Sequence, residues 1–104
     1  MLDIDSVNHS AELHIMIGNK ENRGKGIGTF AVSSIVNHAF NNLNLHRVSL
    51  DVLDYNIAAQ NLYRKVGFKE EGRKRKAVFK NGEYVDVIVM GLLREEYKII
   101  NASE

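Results

Sequence analysis

Arg23-Gly24-Lys25-Gly26-Ile27-Gly28-Thr29 is the stretch on which the reading of this chain turns. Three glycines in five positions stand between an apolar run ending at Ile17 and a helical pattern starting near Ile27. Glycine has no Cβ, so the backbone there can turn sharply and come close to a ligand. A glycine-rich turn that opens a helix also presents unpaired N–H groups at the positive end of the helix dipole. Such a turn suits a phosphate or pyrophosphate, and Arg23 and Lys25 add positive charge at the same place. The loop therefore predicts a phosphate-bearing cofactor.

On the N-terminal side, Ala11 to Ile17 alternates, with Leu13, Ile15 and Ile17 facing one way and Glu12, His14 and Met16 the other, which predicts a strand. Leu2 to Val7 predicts a shorter strand, and Asn8-His9-Ser10 is turn chemistry, so the two runs form an antiparallel hairpin. On the C-terminal side a helix is predicted over Ile27 to Leu43. Ile27, Ala31, Ile35, Ala39 and Leu43 make an i, i+4 row, and Phe30, Val32, Val36 and Phe40 widen the apolar face. Val48, Leu50 and Val52 mark the next strand. Asp54 and Asn56 are N-cap types ahead of a second helix with Ala59, Leu62, Tyr63 and Val66 on one face and Gly67 as its C′ residue. Phe68 to Lys80 is extended, Asn81-Gly82 is a hairpin turn, Tyr84 to Leu93 is a strand, and Arg94 to Glu104 is a helical or frayed tail. The order β-β-α-β-α-β-β predicts an α/β (α+β) fold. Its mixed sheet has parallel pairing in the middle and antiparallel pairing at the ends.

The bulk composition narrows the classes. A chain of 104 residues, 44% hydrophobic and 26% charged, predicts one globular domain over 1–104. A formal charge of +1 points to no nucleic-acid partner. With no Cys there is no disulfide, thiolate metal site or cysteine nucleophile. No apolar run is long enough to span a membrane, and Met1-Leu2-Asp3-Ile4-Asp5 lacks a signal-peptide layout. The expectation is a cytoplasmic protein with no membrane partner.

Three phosphate loops compete for the glycine stretch. A Walker A loop fails twice, because Gly18 lies one residue too far from Gly24-Lys25 and Gly26 occupies the position of the magnesium-binding hydroxyl. The dinucleotide fingerprint GxGxxG fails because Gly24-Lys25-Gly26-Ile27-Gly28 spaces its third glycine one residue early. The pattern Arg/Gln-x-x-Gly-x-Gly/Ala is met by Arg23, Gly26 and Gly28. A second stretch follows after one strand: Asn56, then Ala59, then Tyr63-Arg64-Lys65-Val66-Gly67-Phe68.

With these two motifs in this order, the chain resembles the GCN5-related N-acetyltransferase (GNAT) superfamily. Within it, the resemblance is to the branch of ribosomal-protein N-terminal and spermidine/spermine acetyltransferases. Ala11-Glu12-Leu13-His14-Ile15, Asn44-Leu45-His46-Arg47, Glu71-Gly72, Phe79-Lys80-Asn81-Gly82 and Met90-Gly91-Leu92-Leu93-Arg94 carry it further, from about Leu2 to Tyr97. The resemblance implies a partial acyl-CoA N-acyltransferase fold whose central parallel strands splay around acetyl-CoA. Acetyl would pass directly to a primary amine, either a small molecule such as a polyamine or a protein N-terminus. Ile15, Met16 and Ile17 would then meet the pantetheine by their backbone, Arg23, Gly24, Lys25, Gly26, Ile27, Gly28 and Thr29 would cradle the pyrophosphate, and Asn56 and Ala59 would complete the cofactor site.

Aminolysis of a thioester needs a base for the amine and an acid for the leaving thiolate. By resemblance Tyr63 is the acid; by periodicity alone it reads equally as a core tyrosine. Glu12 is the candidate base, directly or through water, or else a solvated strand residue. His9, His38 and His46 show no ligand spacing, which predicts no metal. Arg73-Lys74-Arg75-Lys76 reads first as an exposed strand face and second as a nucleic-acid or acidic-substrate patch. Family members carry a strand, two helices and another strand ahead of Leu2, with no counterpart in this sequence. That leaves Leu2 to Val7 as an uncovered edge, predicting a homo-oligomer, first of all a dimer. The rival reading is a non-catalytic acetyl-CoA-binding or oligomerisation module.

Overall fold

The computed structural model describes residues 2–14 and 27–102. β1 (Leu2–Asp5) and β2 (Ser10–Leu13) pair antiparallel, with Leu2 opposite Leu13 and Asp3 opposite Glu12. β1 stops at Asp5, short of the predicted Val7, because the Asp5 carboxylate closes the turn. It accepts hydrogen bonds from the N–H groups of Val7 and Asn8 and from the Asn8 amide at 2.8–3.1 Å.

α1 (Ile27–Asn37) runs into one π-helical turn over His38–Asn42. Its buried stripe is Gly28, Val32, Val36, Ala39 and Phe40, of which the last four stand on the predicted apolar face; Ala31 and Ile35 are half-buried at its edge and Leu43 is exposed. The wider π turn rotates the end of the helix, so Leu43 is left exposed and Leu45 takes the core position. Phe30 was expected on the apolar face and is instead 74% exposed. It stands two positions from both Gly28 and Val32, about 200° around the helix.

β3 (Arg47–Leu53) turns Val48, Leu50 and Val52 towards the helices and Arg47, Ser49 and Asp51 to the opposite face. α2 (Ile57–Val66) begins at its N-cap Asn56 and ends at Gly67, whose φ of 123° excludes most side chains. β4 (Lys69–Lys80) and β5 (Glu83–Leu93) form a long hairpin. Asn81 and Gly82, with φ of 54° and 80°, supply the two left-handed residues of a type I′ turn. α3 (Arg94–Ala102) returns over the core, where Tyr97 packs on Phe40 at 5.3 Å between ring centroids.

The sheet order is β1-β2-β3-β5-β4, with β5 inserted between β3 and β4. Among the described residues β2 and β3 form the one parallel pair, and their ladder ends after Ser10–Arg47, Ala11–Val48 and Glu12–Ser49. Leu13 pairs with β1 but not with β3, while β3 continues to Leu53 against β5 alone. The core lies on the helix face and includes Leu13, Val32, Phe40, Leu50, Tyr63 and Met90. No described helix is long and apolar enough to cross a membrane.

The face away from the helices carries two ion pairs that cross β5. Arg47 forms a two-pronged bond to Glu71 at 2.6 and 2.7 Å, and Lys74 reaches Asp51 at 3.4 Å. The Arg47 pair passes over Gly91, where an added Cβ would lie 2.3 Å from the Glu71 carboxylate. Gly→Ala in a strand ordinarily gains about 0.5–1 kcal/mol of chain entropy. We expect that gain for Gly91→Ala only in a Glu71→Ala background. With Glu71 present, the displaced ion pair offsets it by a similar amount, and a double-mutant cycle in urea measures the difference.

Candidate functional site

The place of interest is the end of the described β2–β3 ladder, whose last rung among the described residues is Glu12–Ser49. Ile15, Met16, Ile17, Arg23, Gly24, Lys25 and Gly26, all expected to meet the cofactor, lie outside the described residues. Ile27 is the first residue of α1; Gly28 is buried in its first turn and Thr29 is half-buried beside it.

On the helix side of the sheet stands α2. The Asn56 Oδ1 accepts the Ala59 N–H at 3.1 Å, which caps the helix. That bond leaves the Asn56 amide nitrogen as the group with donors to offer a ligand. Ala59 is 2% exposed and belongs to the core, so its part in any site is to present its N–H to Asn56 and to let the helix approach the sheet. Tyr63, one turn on, is 4% exposed and meets Phe68 edge-on at 5.9 Å. Burial raises its phenol above the ordinary tyrosine range, so the group stays protonated at neutral pH.

Gln60 escaped the sequence reading. It is buried, and its Nε2 donates to the carbonyls of Leu53 at 3.2 Å and Asp54 at 3.0 Å. These bonds tie α2 to the end of β3, where the Leu53 carbonyl also accepts the Asn56 N–H at 3.0 Å. A glutamine amid the apolar face of α2, four residues after the cap, was the available signal.

On the opposite face the row is acidic. Glu12 pairs with His14 at 3.1 Å, as their shared strand face predicted. Asp3, brought alongside Glu12 by the β1–β2 register, was not anticipated. Asp3, Glu12 and His14 each place a ligand-type atom within 4.8 Å of the other two, the one such group found among the described residues. The sequence reading looked for metal ligands at His9, His38 and His46; the residue types a divalent cation uses meet elsewhere, across β1 and β2. An open cavity of about 240 Å³ adjoins them, lined by Asp3, Asp5, Ser10, Glu12 and Ser49. Tyr63 and Asn56 thus lie on the helix side of the sheet and Glu12 on the far side, with the sheet between them.

The model of the acetyltransferase (GNAT) domain matches residues 1–69. This chain belongs to the GNAT acetyltransferase family. It is 36% identical over 104 residues to spermidine N(1)-acetyltransferase of Vibrio cholerae, covering 100% of this chain and 58% of that protein. It is 34% identical over 96 residues to the putative ribosomal N-acetyltransferase YdaF of Bacillus subtilis, covering 92% and 52%. Among solved structures, spermidine N-acetyltransferase from Vibrio cholerae in complex with CoA and spermine superposes with a TM-score of 0.85 at 37% identity, covering 93% of this chain and 58% of that one. The chain therefore spans between half and three fifths of the length of these relatives. The GNAT fold here is partial. It comprises the five-stranded mixed sheet and the helices that flank the parallel pair.

Of the residues expected on the cofactor side, the described ones are Ile27, Gly28 and Thr29 in the first turn of α1, Asn56 as the cap of α2, and Ala59 within α2.

Proposed function

We propose that this GNAT chain carries the cofactor-binding and catalytic part of an acetyl-CoA-dependent N-acetyltransferase whose acceptor is a polyamine. The observation that carries this reading is the Asp3–Glu12 pair beside an open cavity at the end of the described β2–β3 ladder. Two carboxylates side by side suit a chain bearing several ammonium groups better than a protein N-terminus with one. The names of the spermidine acetyltransferase relatives support the same class of acceptor.

Amine and thioester react directly. Glu12, alone or through a water, takes the proton of the attacking ammonium, and the nitrogen bonds to the acetyl carbon. The carbon–sulfur bond then breaks, and Tyr63, kept protonated by burial, gives its proton to the thiolate; the new amide nitrogen sheds its second proton, which restores the phenol through solvent. The glycine-rich residues Arg23, Gly24, Lys25, Gly26, Ile27, Gly28 and Thr29 hold the pyrophosphate, and Ile15, Met16, Ile17 and the Asn56 amide hold the pantetheine. A strand edge reads such a two-amide chain well.

The test has two arms. CoA at about 100 times its Kd raises the stability of a binding chain by about 2.7 kcal/mol, read as a shift in Tm. Thiol release from acetyl-CoA is then compared for spermidine, monoamines and N-terminal peptides. The reading expects CoA stabilisation and release with spermidine above all. Stabilisation without release for any amine would instead make the chain a non-catalytic CoA-binding module.

A further inference from the structure

The basic run Arg73-Lys74-Arg75-Lys76 plays no part in the acetyl-transfer reading, and the structure divides it in two. Arg73 is engaged by Asp54 at 3.2 Å and Asp86 at 2.8 Å, and Lys74 by Asp51. Beyond them the strand bulges, with a register shift between Lys74 and Val78 and Lys76 in the left-handed region at φ 48°. The Lys76 N–H donates to Asp86 at 2.8 Å and pins the bulge. Among the described residues no salt bridge involves Arg75, Lys76 or Lys80. Arg75 and Lys76 border an open cavity of about 630 Å³ together with Asp86.

The same end of the hairpin leaves the sheet. The β3–β5 ladder ends at Leu53–Val87, while β4 and β5 continue through Val78–Val85, Phe79–Tyr84 and Lys80–Glu83. On this two-stranded ribbon Phe79 and Tyr84 are directly opposite, 64% and 66% exposed, with ring centroids 5.0 Å apart. Asp86 borders the cavity with Arg75 and Lys76, and Glu83 stands opposite Lys80 in the ladder; an exposed pair of aromatic rings beside three cations is still what a stacked base and its phosphates recognise. Single strands offer unstacked base faces, whereas a duplex hides them.

We propose that the outer β4–β5 ribbon, through Arg75, Lys76, Lys80, Phe79 and Tyr84, is a docking surface for single-stranded RNA. A second copy of the chain fits the patch less well, because a two-fold contact would set the cations of one copy against those of the other. An overall charge of +1 had argued against nucleic acid. That figure averages over the chain, whereas on this arm Arg75, Lys76 and Lys80 outnumber Glu83 and Asp86 and flank the exposed rings.

The probe is a fluorescein-labelled 12-nucleotide oligouridine, titrated with the whole chain and followed by anisotropy. Three phosphate contacts give a salt slope near −2, so affinity falls roughly 20-fold between 50 and 200 mM salt. Arg75→Ala with Lys76→Ala flattens that slope, and Phe79→Ala weakens binding by about tenfold at every salt concentration. An unchanged CoA-induced Tm shift shows that these surface variants remain folded. No binding at 50 mM salt overturns the proposal. Equal binding of a duplex of the same length, or of a polyglutamate peptide, also overturns it, since the surface would then be reading charge alone. Self-association that the same variants abolish, without RNA binding, assigns the ribbon to a copy–copy contact instead.

Discussion

Tyr63→Phe lowers kcat with acetyl-CoA and spermidine by about 10²- to 10⁴-fold and leaves CoA affinity within about twofold of the parent. The substitution removes one oxygen and keeps the ring, so the edge contact with Phe68 and the burial of the side chain survive. The chain should therefore fold with nearly the parent Tm, and the loss is confined to proton delivery. Burial makes the sign clear: the raised phenol is a proton donor at neutral pH, not a base. Rapid-mix thiol release measures the chemical step, and a CoA titration by thermal shift measures binding. If kcat and CoA affinity fell together, Tyr63 would be a packing residue and the leaving thiolate would need another acid.

The second large effect is expected at Glu12. Glu12→Gln keeps the shape and the strand position but cannot accept a proton, and kcat/KM for spermidine falls by about 10²-fold at pH 7. A base is needed because a primary amine, with a pKa near that of lysine at about 10, arrives protonated. The defect should therefore narrow as the pH is raised from about 7 to about 9, when more of the amine arrives ready to attack. A purely structural role for Glu12 would give a loss that is constant with pH. Asp3→Asn, by contrast, raises KM for spermidine more than it lowers kcat, because Asp3 meets the acceptor's second charge and not the reacting nitrogen. Steady-state kinetics over the pH range separates the two carboxylates.

Much of the fold was legible because local chemistry and tertiary environment agreed. Asn81-Gly82 made its two left-handed residues, Asn56 capped α2, and Gly67 closed it. The period of α1 misled where local chemistry was silent. Nothing in Ile27 to Leu43 signals the π turn at His38–Asn42, after which Leu43 is exposed and Leu45 buried. The site shows the same division. Tyr63, Asn56 and Glu12 were picked out from short motifs. Asp3 and Gln60 found their places only through pairing and capping across a turn, and Ser49 only through the β2–β3 pairing.

The sequence by itself determined the element order, the glycine-rich start of α1, the caps and turns of α2 and the hairpin, and the family. Each rests on residues within a few positions of one another, where backbone preference and hydrogen-bond chemistry are decided. Tertiary structure alone decided that β5 slides between β3 and β4 and that β2 pairs with β3 in the register that sets Glu12 beside Ser49. It alone set Asp3 beside Glu12 and left the outer β4–β5 ribbon bare. These depend on which strands pair and in what register, and that is set by burying one common face of the sheet against α1 and α2, a choice that no local stretch contains.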